Sequence, residues 1–82
     1  MVIKKAVRDT VIEVLKSHFG NDRDINDNTH MMDDLGGDEL DIIDVIVQVE
    51  SALDISIPEQ ETFDVRLVSE LLEVVGRHVQ SD

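Results

Sequence analysis

The side chains of this sequence that could do chemistry are mostly carboxylates. The chain has 82 residues, of which 19 are acidic and 7 are Lys or Arg. It has no cysteine, which excludes a thiolate nucleophile, a disulfide and a zinc–thiolate site. His18, His30 and His78 are far apart and show no metal-ligand spacing and no catalytic arrangement with a serine and an acid. We therefore predict that the protein is not an enzyme, with no catalytic residues and no metal centre.

The segment 22–33 resembles a calcium-binding loop only in part. Its sixth position, which needs glycine for the sharp turn, is Asp27, and its twelfth position lacks the bidentate glutamate. We therefore expect no dedicated calcium site there. The oxygen-bearing residues at positions 1, 3, 5 and 12 are Asp22, Asp24, Asn26 and Asp33.

The acidic residues are concentrated in the middle of the chain. Thirteen carboxylates and no Lys or Arg lie between Asp24 and Val65, and the formal net charge is −12. Nucleic acid and anionic membranes both require basic patches, so this charge argues against them and favours a basic partner surface. No apolar run reaches the roughly 20 residues of a membrane span. The lack of cysteine and of a signal-peptide pattern predicts a cytoplasmic location, and we expect a monomer.

Hydrophobic periodicity predicts an all-α framework in a single domain, residues 1–82. Steps of three and four predict a helix over Ile3–Phe19, a second from Asp38 as N-cap to about Leu53, and a last helix over Leu67–Val79. Glu59–Asp64 is interpreted as a short helical turn, and Gly20–Gly37 as a long loop. Aromatic residues make up 2% of the chain, so the core must be aliphatic. The predicted anchors of the loop are Met31, Met32 and Leu35.

The second predicted helix carries two apolar lines. Its core stripe has a continuous i, i+3, i+4 spacing. The stripe consists of Ile42, Val45, Ile46, Val49 and Leu53. A second apolar line, rotated from the first, consists of Leu40, Ile43 and Val47. Three short helices could bury both lines, but carboxylates flank the second one, so we favour an exposed strip for a partner.

The run Asp-Leu-Gly-Gly-Asp-Glu-Leu-Asp at 34–41 resembles the acyl carrier protein signature Asp-Leu-Gly-x-Asp-Ser-Leu-Asp. Asp-Ile-Ser-Ile-Pro at 54–58 is similar to the family's segment after its second helix. The resemblance covers nearly the whole chain. It implies a four-helix bundle with a long first loop and a short third helix. It also implies a phosphopantetheine arm on the signature serine, with the second helix docking on basic patches of acyl-processing enzymes.

The signature serine is replaced by Glu39, which has no hydroxyl to attack coenzyme A. We therefore expect no cofactor, although the family carries phosphopantetheine. The docking residues that the resemblance implies agree with the second apolar line and its flanking acids. They are Asp38, Leu40, Asp41, Ile43, Asp44, Val47 and Glu50. The partners expected are basic surfaces of enzymes in fatty-acid or polyketide-type metabolism.

Several interpretations of Glu39 and of the protein stay open at this point. An acid in a first helical turn interacts favourably with the helix dipole, by roughly 0.3–1 kcal/mol, and we favour this structural role. Glu39 could instead imitate the phosphate of a loaded carrier. The chain could also descend from a functional acyl carrier lineage whose serine was lost or engineered away. A regulatory interaction module unrelated to acyl transfer is the remaining alternative.

Overall fold

The computed structural model describes residues 4–79. In this part of the chain it contains three α-helices: α1 (Lys5–Phe19), α2 (Glu39–Leu53) and α3 (Val68–His78). A 3₁₀ turn, Glu59–Glu61, lies between α2 and α3. The all-α prediction is confirmed, and the helix boundaries agree with the predicted ones to within two residues. The predicted start of the first helix at Ile3 lies outside the described residues.

The predicted four-helix count is not confirmed, because the third element is a single 3₁₀ turn of three residues. The reason lies at Thr62, whose backbone N–H and hydroxyl both donate to the Glu59 carbonyl, at 2.9 and 2.7 Å. A continuing α-helix would need that carbonyl for the N–H of Phe63. The hydroxyl therefore favours the tight turn over another helical turn.

One aliphatic core joins the three helices, the long loop and the segment after α2. No aromatic residue among residues 4–79 is fully buried. On α2 the core stripe is buried as predicted except for Leu53, which is half-buried. The loop anchors Met31 and Leu35 are also buried, and Met32 is half-buried against the core. The core residues are Val7, Val11, Leu15, Met31, Leu35, Ile42, Val45, Ile46, Val49, Ile57, Val65, Val68, Leu71, Leu72, Val74 and Val75.

The start of α2 is fixed by a capping box. The Asp38 carboxylate accepts from the Asp41 N–H at 3.0 Å, and the Asp41 carboxylate accepts from the Asp38 N–H at 2.9 Å. The preceding Gly37 lies under the Phe19 ring, where a Cβ atom would come within 2.9 Å of a ring carbon. Glycine at 37 thus lets the loop pass closely under the end of α1 and enter α2 at this point.

The long loop also supplies the N-terminal cap of α3. The carbonyls of Thr29 and Asp27 accept from the N–H groups of Val68 and Ser69, at 3.0 and 2.9 Å. These are among the helix N–H groups that have no partner within the helix itself. The Glu70 carboxylate accepts from the Leu67 N–H, which lowers the pKa of Glu70. The loop is therefore part of the folded framework.

The burial of α2 predicts two opposite classes of variant. Ile46→Ala and Val49→Ala should each lower the free energy of unfolding by roughly 1–3 kcal/mol, because each empties space in the core. Ile43→Ala and Val47→Ala should change it by no more than about 0.5 kcal/mol, because both side chains are exposed. Urea unfolding followed by circular dichroism measures all four. Equal losses in both classes would show that the two faces of α2 are misassigned.

Candidate functional site

The second apolar line forms an exposed strip along α2. Leu40, Ile43 and Val47 are 70%, 53% and 56% exposed, while their neighbours on the core stripe are buried. The predicted separation of the two faces is therefore confirmed. Large aliphatic side chains exposed together on one helix are typical of a protein-interaction surface.

The acidic residues assigned to docking fall into two groups. Asp38 and Asp41 form the capping box, and the Glu50 carboxylate accepts from the Ile57 N–H at 2.8 Å. Glu50 thereby holds the segment after α2 against the helix. Asp44 and Glu39 are exposed on the surface of α2. The carboxylates most available to a partner are therefore Asp44 and Glu39.

His18 connects α1 to the beginning of α2, a role that the sequence analysis did not predict. Its Nε2 lies 2.9 Å from an Asp41 carboxylate oxygen, and its Nδ1 lies 3.2 Å from the Gln48 amide nitrogen. A carboxylate oxygen accepts, so Nε2 carries a proton and donates it to Asp41. This hydrogen bond, followed by that from the Asp38 N–H, lowers the pKa of Asp41. The Asp41 carboxylate thus serves the cap and the α1–α2 contact at once.

An open groove of about 280 Å³ runs between α2 and the segment that contains the 3₁₀ turn. Glu39 lies along it, as do Ile43, Phe63 and Arg66. Phe63 is 61% exposed, and sequence reasoning did not single it out. A usable signal was present, since Phe63 is one of only two aromatic residues in the chain and lies in a short polar segment.

Side chains of the loop segment that resembles a calcium-binding site make contacts within the protein instead. Asp27 forms an ion pair with Arg8 of α1, and the Asn26 carboxamide oxygen accepts from the Asn28 N–H. Among residues 4–79 the structure brings together no three His, Cys, Asp or Glu side chains in a metal-binding group. Within the same range, no helix has the length and apolarity needed to cross a membrane.

Comparison with known sequences places these features in a family. The profile of the phosphopantetheine attachment site family matches residues 5–75. The chain is 24% identical to the acyl carrier protein of Syntrophobacter fumaroxidans over 74 residues, which cover 89% of this chain and 91% of that protein. It is 29% identical to the acyl carrier protein of Chlorobium luteolum over 70 residues, which cover 84% of this chain and 90% of that protein. It is 30% identical to the acyl carrier protein of Clostridium perfringens over 60 residues, which cover 73% of this chain and 79% of that protein.

These matches, over most of a small helical chain, define the protein as a carrier domain. The chain belongs to the acyl carrier protein family, whose domain is the phosphopantetheine attachment domain. Acyl carrier proteins are carriers and not enzymes, which confirms the prediction from the sequence that this chain is not an enzyme.

The lowered pKa of Asp41 predicts a pH-dependent contribution to stability. A carboxyl group whose pKa is lowered by folding stabilises the fold above its ordinary value of 3.8, and this contribution is lost as the pH falls through the lowered value. Asp41→Asn should therefore be less stable than the native protein at pH 5, with the difference narrowing towards pH 2. Urea unfolding at each pH measures this difference.

The control for this prediction is the same substitution in a His18→Ala background. Because the His18 hydrogen bond is the largest cause of the shift, Asp41→Asn should destabilise that background less at pH 5. A difference between Asp41→Asn and the native protein that stays constant from pH 5 to pH 2 would contradict the assignment.

Proposed function

We propose that this protein is an acyl-carrier-like docking protein that works without a phosphopantetheine arm. It binds basic surfaces of acyl-processing enzymes through the exposed strip of α2. The observation that carries the proposal is the side-by-side exposure of Ile43 and Val47 with Asp44 on a helix whose other face is buried. The proposal also includes acyl-processing enzymes as the partners, a cytoplasmic location and a monomeric state.

The chemistry of residue 39 supports the absence of an arm. Attachment in the family needs a serine hydroxyl at the start of the second helix, and Glu39 offers only a carboxylate there. Ser51 is in the same helix but about 18 Å further along its axis. Ser17 is in α1, Ser56 follows α2, and Ser69 is at the start of α3. None of these replaces the missing hydroxyl, and Ser81 lies outside the described residues.

The two kinds of side chain on the strip have different roles in docking. Burial of Ile43 and Val47 against a partner supplies contact energy. The exposed carboxylates, Asp44 foremost, attract a basic surface from a distance and set its orientation, since net charge and local potential raise the association rate. The engaged carboxylates Asp38, Asp41 and Glu50 act mainly by holding the strip in place.

Glu39 extends the acidic surface to the first residue of α2. It lies in the first turn, where a negative charge interacts favourably with the helix dipole, and it is exposed. A partner that recognises the phosphate of a loaded carrier would contact a single carboxylate at position 39. A phosphate monoester carries more charge and more acceptor oxygens. We therefore assign Glu39 a helix-stabilising role and a secondary role in docking.

The first prediction from this proposal concerns modification. A phosphopantetheinyl transferase with coenzyme A should leave the intact mass of the protein unchanged, because residue 39 has no hydroxyl. Glu39→Ser should gain the mass of one arm, since the residues around position 39 keep the family signature. The matched control is Glu39→Ala, which should gain nothing. A gain on the unaltered protein, mapped to any serine, would contradict the proposal.

The second prediction uses the same enzyme as a docking probe in the Glu39→Ser background. Ile43→Ala and Val47→Ala should each lower kcat/KM for arm transfer by about tenfold, mainly through KM, because they remove contact area. Asp44→Lys should lower it further at low salt and flatten its salt dependence.

Glu13→Ala, an exposed change on α1, is the control for this series and should leave kcat/KM unaltered. Docking through α2 would be contradicted by strip variants that keep full kcat/KM while the control behaves as expected. Mass spectrometry of the reaction time course supplies the rates. Unfolding measurements on each variant separate lost docking from lost stability.

A further inference from the structure

The groove beside α2 continues the exposed strip onto a second wall. Ile43 and Ile46 line it on the α2 side, and Thr62 and Phe63 line it on the other. A smaller opening of about 150 Å³ shares Ile43, Ile46 and Thr62 with it and extends along α2 to Val47. The groove is therefore continuous with the docking strip and lies directly beside it.

Phe63 and Ile43 are the exposed apolar side chains that border this groove. The backbone at Phe63 is held by Arg66, whose guanidinium donates to the carbonyls of Phe63 and Val65 at 3.0 and 2.8 Å. Phenylalanine is among the residues enriched at protein interfaces. Phe63 therefore offers an exposed aromatic surface at the border of the groove.

The size and charge of the groove limit what it accepts. About 280 Å³ lies just below the roughly 300–1,000 Å³ of pockets that enclose a drug-sized ligand, and it suits a single large side chain. Two carboxylates, Glu39 and Glu59, line the groove against one guanidinium, which already donates to two carbonyls. A fatty acid would bring its own carboxylate next to these acids. An apolar side chain flanked by Lys or Arg would meet complementary charge.

We propose that Phe63 and Ile43 form a socket for one large apolar side chain of a basic partner. The proposal rests on the proposed function and deepens it, because it names the chemistry that the partner presents. In this arrangement Asp44 and Glu39 attract the basic residues, and Phe63 decides which apolar side chain is held. Phe63 is thereby a specificity-determining residue of the docking surface.

The test uses two synthetic helical peptides of 18 residues, rich in Lys and Ala, that differ at one central position occupied by Trp or Ala. Titrations followed by nuclear magnetic resonance give both dissociation constants. The native protein should bind the Trp peptide about tenfold more tightly, the effect of one well-buried contact residue. Phe63→Ala should abolish this preference and leave the weaker Ala peptide unaffected. Leu40→Ala is the control, because Leu40 is exposed on the strip but lines neither opening, and it should keep the preference.

The outcomes below would overturn the proposed socket, and each can be told apart from a failure of docking through α2. An unchanged Trp preference in Phe63→Ala, or no preference in the native protein, would overturn it, while arm transfer to Glu39→Ser still reports on docking. Displacement of the Trp peptide by micromolar dodecanoate would assign the groove to a lipid. A dimer that forms with rising concentration and is lost in Phe63→Ala would assign it to a second copy of this chain.

Discussion

The carboxylate of Asp41 is the interaction on which the rest of the structure depends. One of its oxygens accepts from the Asp38 N–H and closes the capping box, and the other lies 2.9 Å from His18 Nε2 on α1. The first contact fixes where α2 begins, and the second fixes how α2 is rotated against α1. Because a helix repeats every 3.6 residues, its start and rotation decide which side chains face the core. In the position that these contacts help to hold, Ile42 and Val45 face inward and Ile43 faces solvent.

The long loop also helps to fix the positions of the helices. Its carbonyls cap α3, and the close approach of Gly37 to Phe19 directs the chain into α2. After α2, the Thr62 hydroxyl bonds to the Glu59 carbonyl and favours a single 3₁₀ turn. The backbone therefore turns back towards α3 with Phe63 exposed beside the groove. A full fourth helix in this segment would place different residues along α2.

Acidity serves two purposes in this protein. Asp38, Asp41, Glu50 and Glu70 each accept hydrogen bonds from backbone N–H groups, which places negative charge where helix ends and turns need acceptors. Exposed carboxylates such as Asp44 contribute to the surface potential, which in the proposed docking attracts a basic partner. A high net charge opposes compaction, and the N–H partners of the first group offset part of that repulsion. A carboxylate can thus belong to a docking sequence pattern and still act mainly within the fold.

The sequence by itself determined the helices, the two faces of α2 and the missing hydroxyl at Glu39. Periodicity and capping are local properties, and the chemistry of residue 39 follows from its type. It also identified the family, because the signature residues are contiguous. The structure alone decided that the third element is a 3₁₀ turn, that His18 bonds to Asp41, and that Phe63 borders the groove beside Ile43. The 3₁₀ turn involves a contact only three residues apart, between Thr62 and Glu59, whereas the other two depend on side chains brought together from distant segments. The spacing of residues along one element carries no record of such distant contacts.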